Sequence, residues 1–323
     1  MSRFSDLGNA LYSGERSINF VGRRKIWYSI ASVVVLLAVV LPILQGGFKF
    51  GIEFRGGSEF RVSSVANQSQ DIAKSAIKAV VPAEDPSITV IGTNDLRIQT
   101  NQLTATQSEA VRQQLATGYH INASAVSSSF IGASWGADVT SKALAGLLWF
   151  VLLAAILMAV YFRTIKMSAA AITALIHDLV VTAGIYGALG FEVTPAAVIG
   201  FLTSLGYSLY DTVVVFDKIR ENTFEVEHSA TATFAERVNL AINQTLVRSI
   251  NTSIVAVLPV AAILFIGAVF LGAGTLKDIA LSLFIGIIVG TYSTIFIAAP
   301  IYSHLREGEP KYKSAAAKVL AAR

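Results

Sequence analysis

Apolar residues in this chain come in long blocks. Six stretches, 26–44, 143–162, 169–189, 195–216, 250–271 and 278–302, are almost continuously apolar. Each has about the 20 residues that a helix needs to cross the hydrocarbon core of a bilayer. The sixth opens on Asp278 and is apolar from Ile279 onward. Between the first two blocks the pattern changes. Residues 58–64 alternate as a strand does, and Ile72, Ala76, Ile77 and Val80 recur at helical spacing behind Ser69, a candidate cap. Segments 88–92 and 96–100 flank Thr93-Asn94-Asp95 as a hairpin. A second helix follows over 104–117, with Val111 and Leu115 on one side and a capping box at Thr106 and Glu109. Residues 121–130 close as a strand. The order β-α-β-β-α-β is the split βαβ, or ferredoxin-like, pattern. The predicted fold class is an α-helical membrane protein of six transmembrane helices with a small external α+β domain.

Composition agrees. The chain is 54% hydrophobic and 14% charged, with a mean hydropathy of +0.61, against about 25% charged residues in soluble domains. It has no cysteine, which excludes disulfides, thiolate nucleophiles and cysteine metal sites. His120, His177, His228 and His304 are scattered, with no metal-binding spacing. Segment 45–142 holds no paired carboxylates, Ser/His/Asp set or phosphate loop, so a binding or lever role is expected there rather than an enzyme. No cofactor, metal or nucleic acid is expected.

Charge placement gives the orientation. Basic residues crowd segment 1–25, the 163–166 link, the 217–249 link and the 303–323 tail, whereas links 190–194 and 272–277 hold only Lys277. By the positive-inside rule both termini are cytoplasmic and 45–142 lies outside the cell membrane. Span one reads as an uncleaved signal anchor, because Leu44-Gln45-Gly46-Gly47 offers no small-x-small cleavage site. The expected organisation is a cytoplasmic segment 1–25, helix 26–44, the external domain 45–142, five further spans over 143–302 with a cytoplasmic link 217–249, and a basic tail 303–323. Thr233 and Glu236 make a capping box that opens an amphipathic cytosolic helix leading into span five. Since only six helices are present, a second six-helix partner is expected.

Several polar residues interrupt the apolar blocks. Asp211 falls inside span four, about 7–8 Å above its cytosolic end, where a carboxylate costs about 2.5–3.5 kcal/mol. Asp is too short to snorkel far, so a functional role is expected. Arg248, two residues before Ile250, is the candidate cation at matching depth. It enters among Asn243, Gln244, Thr245, Ser249, Asn251, Thr252 and Ser253, an entrance polar enough to face a partner or water rather than lipid. His177 and Asp178 fall about 12–13 Å into span three, as a relay or a helix-pairing contact. Asp217, Lys218, Arg220 and Glu221 read as a solvated interfacial turn. Gly286-x-x-x-Gly290 is a close-packing motif, and Gly184, Gly187, Gly200 and Gly206 permit close approach.

These residues also carry a resemblance. Gly206-Tyr207-Ser208-x-x-Asp211-Thr212-Val213-Val214-Val215-Phe216-Asp217-x-Ile219-Arg220-Glu221-Asn222 resembles the fourth-span motif of the SecF family, membrane subunits of bacterial SecDF protein-export complexes. Ala241 to Ser249 resembles the entrance to that family's fifth span, and Ile176-His177-Asp178 also fits. Phe50-Gly51-Ile52-Glu53-Phe54-x-Gly56-Gly57 resembles the motif after its first span, with Glu53 where Asp is usual. The resemblance covers roughly 20–305.

It implies half of an RND-type bundle, a SecD partner supplying the other six helices, and association with the SecYEG channel. It further implies use of the proton-motive force to promote preprotein translocation after the SecA ATP-driven stage. The family's membrane acid falls on Asp211 and its arginine on Arg248. A nearby guanidinium favours the carboxylate and loss of water disfavours it, so Asp211 can change charge as water access changes. The expected mechanism is protonation of Asp211, release of Arg248, a shift of packing against SecD and movement of domain 45–142. The rival readings are half of an RND-type small-molecule exporter and a purely structural assembly subunit.

Overall fold

The computed structural model describes residues 3–92, 94–224, 232–270 and 274–321. Thr93 of the expected hairpin, His228, residue 271 at the end of expected span five, and Arg323 lie outside them. Among the described residues, six helices are long and apolar enough to cross a membrane. A short helix α1 (Arg3–Ser13) precedes them. The first span is α2 (Arg24–Leu44), followed by β1 (Lys49–Phe50) and one helical turn, α3 (Ile52–Arg55).

The external domain comprises β2 (Gly57–Val62), α4 (Gln70–Val80), β3 (Ser87–Ile91), β4 (Asp95–Thr100), α5 (Ala105–Gly118) and β5 (Val126–Ile131). Its sheet runs β3-β4-β2-β5, antiparallel throughout, which is the ferredoxin-like arrangement the element order predicts. Phe60, Val62, Leu96 and Ile98 point from one face of the sheet and pack with Ala73, Ile77, Val111 and Leu115 of the two helices. Two caps differ from expectation. Helix α5 starts at Ala105, so the box is formed by Thr104 and Gln107. Thr106 is already inside the first turn, and Glu109 instead accepts from Arg112 and Gln113. Ser69 stands at the N-cap of α4, but its side chain makes no capping bond. Its carbonyl accepts from the Tyr119 hydroxyl at 2.7 Å.

The remaining spans are α6 (Ala133–Phe162), α7 (Ile165–Ala188), α8 (Pro195–Thr223), α9 (Phe234–Ala262) continued by a π-helical stretch Ile263–Phe270, and α10 (Gly274–Ser293). The last runs through a π-helical stretch Thr294–Ala298 into α11 (Ala299–Glu307). The two-residue strand β6 (Glu192–Val193) links α7 to α8, and α12 (Pro310–Ala321) follows α11. Helix α6 begins ten residues before the apolar block, because Gly136 lets it pack directly on the Phe54–Gly56 backbone. The expected cytosolic helix and span five are one continuous helix, opened by the Thr233–Glu236 capping box.

Burial divides the spans into two sets. Helices α7, α8 and the α10–α11 helix have 56%, 44% and 50% of their apolar windows buried, against 11% each for α2, α6 and α9. The three buried helices form the centre, and small residues let them approach. A Cβ at Gly286 would overlap Ser204, and one at Gly290 would meet Ser208. Near the start of α9, Asn239 and Asn243 clasp the backbone around residues 18–21.

Candidate functional site

Two buried carboxylates lie in the centre of the bundle, and their surroundings differ. Asp178 on α7 is 1% exposed. Its Oδ2 accepts from Ser208 Oγ of α8 at 2.5 Å and from Ser293 Oγ of α10 at 2.8 Å. Its Oδ1 lies 3.2 Å from His177 Nδ1, and His177 Nε2 lies 2.8 Å from the Tyr292 hydroxyl. Three helices therefore converge on one carboxylate with both oxygens engaged. Ser208 belongs to the fourth-span motif, so that motif supplies part of this cross-brace.

Asp211 lies one turn further along α8 and is 3% exposed. Its Oδ1 accepts from Ser249 Oγ of α9 at 2.8 Å, and its Oδ2 is buried without a hydrogen-bond partner. Ser249 is held in turn, since its carbonyl accepts from Ser253 Oγ and Ser253 Oγ accepts from the Tyr207 hydroxyl at 2.9 Å. Thr291 Oγ1 of α10 stands 2.7 Å from Ser253 Oγ. Thr212, next to Asp211, shares a 3.0 Å hydroxyl contact with Thr294. A buried polar atom without a partner is expensive, and unsatisfied groups in native structures concentrate where chemistry occurs.

The structure does not bring Arg248 onto Asp211. Among the described residues no ion pair joins them; Arg248 is exposed and Ser249 takes the inward position. The reason is helical phase, because one residue turns the side chain by about 100°. Arg248 shares its outward face with Asn251, Val255 and Leu258, all exposed. The outward face of α8 likewise shows Ile199, Thr203, Gly206 and Tyr210, and Gly206 has open space beside it. Exposed polar and small residues on spanning helices suit contact with another protein rather than with lipid.

The rest of the fourth-span motif lies in the last turns of α8. Asp217 Oδ2 accepts from the Tyr161 hydroxyl at 2.7 Å and its Oδ1 lies 3.4 Å from Arg220; Asn222 donates to Gln244 at 2.8 Å. The motif after span one lies at the foot of the external domain. Gly51 N–H donates to the Val193 carbonyl, extending the parallel β1–β6 pairing. Gly56 and Gly57 adopt positive φ, and a Cβ on Gly57 would overlap the Thr100 carbonyl. Glu53 pairs with Arg97 at 3.4 Å.

Sequence reasoning missed Ser249 as the partner of Asp211, Tyr292 as the partner of His177, and Arg97. The polarity of 243–253 pointed to the first. Nothing in local spacing pointed to the other two, which are long-range meetings. Among the described residues no group of acids and histidines is placed to hold a metal ion.

Residues 111–308 match the family model described as "Protein export membrane protein SecD/SecF, C-terminal". The chain is 44% identical over its whole length to the "Protein translocase subunit SecF" of Streptomyces coelicolor, covering 86% of that protein. It is 43% identical to the Mycobacterium tuberculosis protein of the same description, over 92% of this chain and 69% of that one. The crystal structure of SecDF from Thermus thermophilus, titled a translocon-associated membrane protein, superposes with a TM-score of 0.79 at 29% identity over 90% of this chain. This chain spans only 39% of that SecDF chain.

Proposed function

The chain belongs to the SecD/SecF family of protein-export membrane proteins, and from that premise we propose that Asp211 carries the proton by which this multi-pass translocase subunit couples export to the proton-motive force. Its matches to SecF proteins make it an accessory subunit of the protein translocase. The Thermus SecDF chain, in which this fold occupies 39% of the length, supports a SecD-type partner for the remainder. In this reading that partner supplies the second six helices and covers the polar outward faces of α8 and α9. The assembly works beside the SecYEG channel on preproteins that have passed the SecA ATP-driven stage. Both termini are cytoplasmic and the ferredoxin-like domain is outside.

One observation carries the reading: Asp211 is a buried membrane carboxylate with one oxygen on Ser249 and the other on nothing. A group so placed is least stable as an isolated charge and gains most from a proton or from a cation brought by rearrangement. Arg248, one residue from Ser249 and turned outward, reaches it by rotation of α9 or by way of the partner's surface.

The test is proton flux and preprotein release in proteoliposomes holding the SecDF-type complex. Asp211→Asn abolishes both while the complex still assembles. Wild-type flux and release in that variant overturn the proposal and favour a structural subunit.

A further inference from the structure

Two hydroxyls inside the bundle bond to nothing in the protein. Thr182 and Tyr186 lie on α7, are 2% and 0% exposed, and have hydroxyl oxygens that are buried without a partner. Among the described residues they are exceptions on the three central helices, where the other buried hydroxyls have partners. Ser204 donates to the Phe201 carbonyl, Ser282 to that of Asp278, and Ser208 and Ser293 to Asp178. Thr182 also departs from its own kind. Thr173, Thr203, Thr212, Thr291 and Thr294 each donate to the carbonyl four residues before, a bond open to any threonine inside a helix. Thr182 does not make it.

The pair is in line with the two buried acids. Positions 178, 182 and 186 follow at four-residue spacing, so they share one face of α7 about 6 Å apart. Tyr186 stands at the outer end. Its ring lies 5.3 Å from those of Phe191 and Phe201, and its hydroxyl is within electrostatic reach of Glu192 and Asp278. Phe191, Glu192 and Asp278 line a cleft of about 820 Å³ between strand β3 and the outer ends of the spans. Thr182 comes one turn further in, where a Cβ on Gly286 would meet its methyl at 3.7 Å and also Ser204. The next level is Asp178 with Ser208 and Ser293. Ser208 leads on to the level of Asp211, since its carbonyl accepts from the neighbouring Thr212 at 3.0 Å.

We propose that Thr182 and Tyr186 line a water-carried proton path from the outer cleft to Asp211, running through the interior of this chain rather than along its boundary with a partner. Hydrocarbon cannot satisfy a hydroxyl, so one without a protein partner at membrane depth is satisfied by water. A hydroxyl both donates and accepts, so each of the two holds a water in place while a proton moves along it. Both are positioning residues and keep their own protons. Three unpartnered polar atoms of the bundle, Tyr186 Oη, Thr182 Oγ1 and Asp211 Oδ2, thereby fall on one route from cleft to acid. Asp178 lies beside that route with both oxygens engaged. It anchors Ser208, and its charge favours a proton in the water next to it without exchanging one itself. The inference rests on the proposed function for Asp211 as the destination of the proton.

Two measurements on the SecDF-type complex decide it. X-ray radiolysis in lipid nanodiscs makes hydroxyl radicals from water where it lies, and mass spectrometry reads which side chains are oxidised. Tyr186 is oxidised, whereas Phe216, also fully buried but among apolar side chains, is not. A Tyr186 no more oxidised than Phe216 overturns the path. The second measurement is proton flux in proteoliposomes. Thr182→Val and Tyr186→Phe remove hydroxyls that bond nothing in the protein, so packing alone predicts unchanged melting and unchanged flux. The double variant instead melts as wild type does and lowers flux at least about fivefold, the worth of one neutral hydrogen bond. Thr182→Ser, which retains the hydroxyl, keeps the wild-type rate. A smaller loss in the double variant overturns the proposal, and if that variant fails to assemble the oxidation of the wild type still decides. Flux that survives in Asp211→Asn refutes the proton-carrier reading and leaves the oxidation result untouched, so the two failures are told apart.

Discussion

Asp178 and Asp211 are both buried acids on central helices, and replacing each with asparagine separates what they do. Asp178 accepts from Ser208 and Ser293 at one oxygen and faces His177 at the other. In Asp178→Asn one oxygen becomes an NH2 group that cannot accept. Whichever way the amide is turned, either the two serine donors or the histidine loses its acceptor. Hydrogen bonds to charged groups contribute about 1.5–3 kcal/mol each, so loss of the serine pair costs about 3–6 kcal/mol. In Asp211→Asn the amide carbonyl still accepts from Ser249, and the NH2 replaces an oxygen that bonded nothing. Removing an uncompensated buried charge is close to neutral or stabilising. The assay is thermal unfolding of the two variant complexes in one detergent, followed by loss of helical signal. At about 2–4 °C per kcal/mol, Asp178→Asn melts about 3–12 °C below wild type if the amide keeps the serines and about 6–24 °C below if it does not, and Asp211→Asn melts within about 2 °C of wild type. Equal melting of the two variants, or a less stable Asp211→Asn, refutes the distinction between a saturated structural acid and an under-satisfied functional one.

Other substitutions test the supporting structure. Gly290→Leu drives a side chain into Ser208 and separates α8 from α10; it removes the protein from membrane fractions on an immunoblot, whereas Gly308→Leu, with open space beside it, does not. Asn239→Ala frees the backbone N–H groups of Phe20 and Val21 at about 1–3 kcal/mol, and added protease cleaves near residue 18 in inverted vesicles much faster than in wild type. Phe60→Ala empties a fully buried site of the external domain at about 3–5 kcal/mol, read as faster proteolysis of 45–142 from the outer side. Thr233→Ala removes a capping box and lowers the melting temperature by the equivalent of about 1 kcal/mol.

The spans and the external domain were legible because their signals are local. Twenty apolar residues in a row, or alternation bounded by turn residues, depend on no distant partner. Helix ends were less legible. Residues 133–142 contain Ser134, Asp138, Thr140, Ser141 and Lys142, which no apolar block includes, yet they are helical because Gly136 seats the helix on the Phe54–Gly56 backbone. The π-helical stretches at Ile263–Phe270 and Thr294–Ala298 left no sequence mark either. The capping box of α5 was displaced by two residues because Thr104 and Gln107 satisfy the same spacing rule as Thr106 and Glu109.

The site shows where sequence pattern stops and geometry begins. Position 211 was identifiable from depth alone, because a carboxylate in an apolar block needs a reason. Its partner was not, because positions 248 and 249 have the same depth and differ only in phase. Charge complementarity favours the arginine, whereas the helix presents the serine inward and the arginine outward beside Asn251. The same turn that denies Asp211 an internal cation places that cation on a face that suits another protein. An internal Asp211–Arg248 pair would fix the charge of the acid and take the cation off the outward face. In the proposed function, the arrangement found leaves the acid able to exchange a proton and its cation available at the boundary with the partner. Substituting Arg248 with Lys keeps the charge but loses the planar fork that binds carboxylate bidentately. Arg248→Lys therefore retains assembly and lowers proton flux by at least about tenfold, the equivalent of one charge-assisted hydrogen bond. Full flux in that variant would show that no bidentate Arg248–carboxylate pair is needed during the cycle.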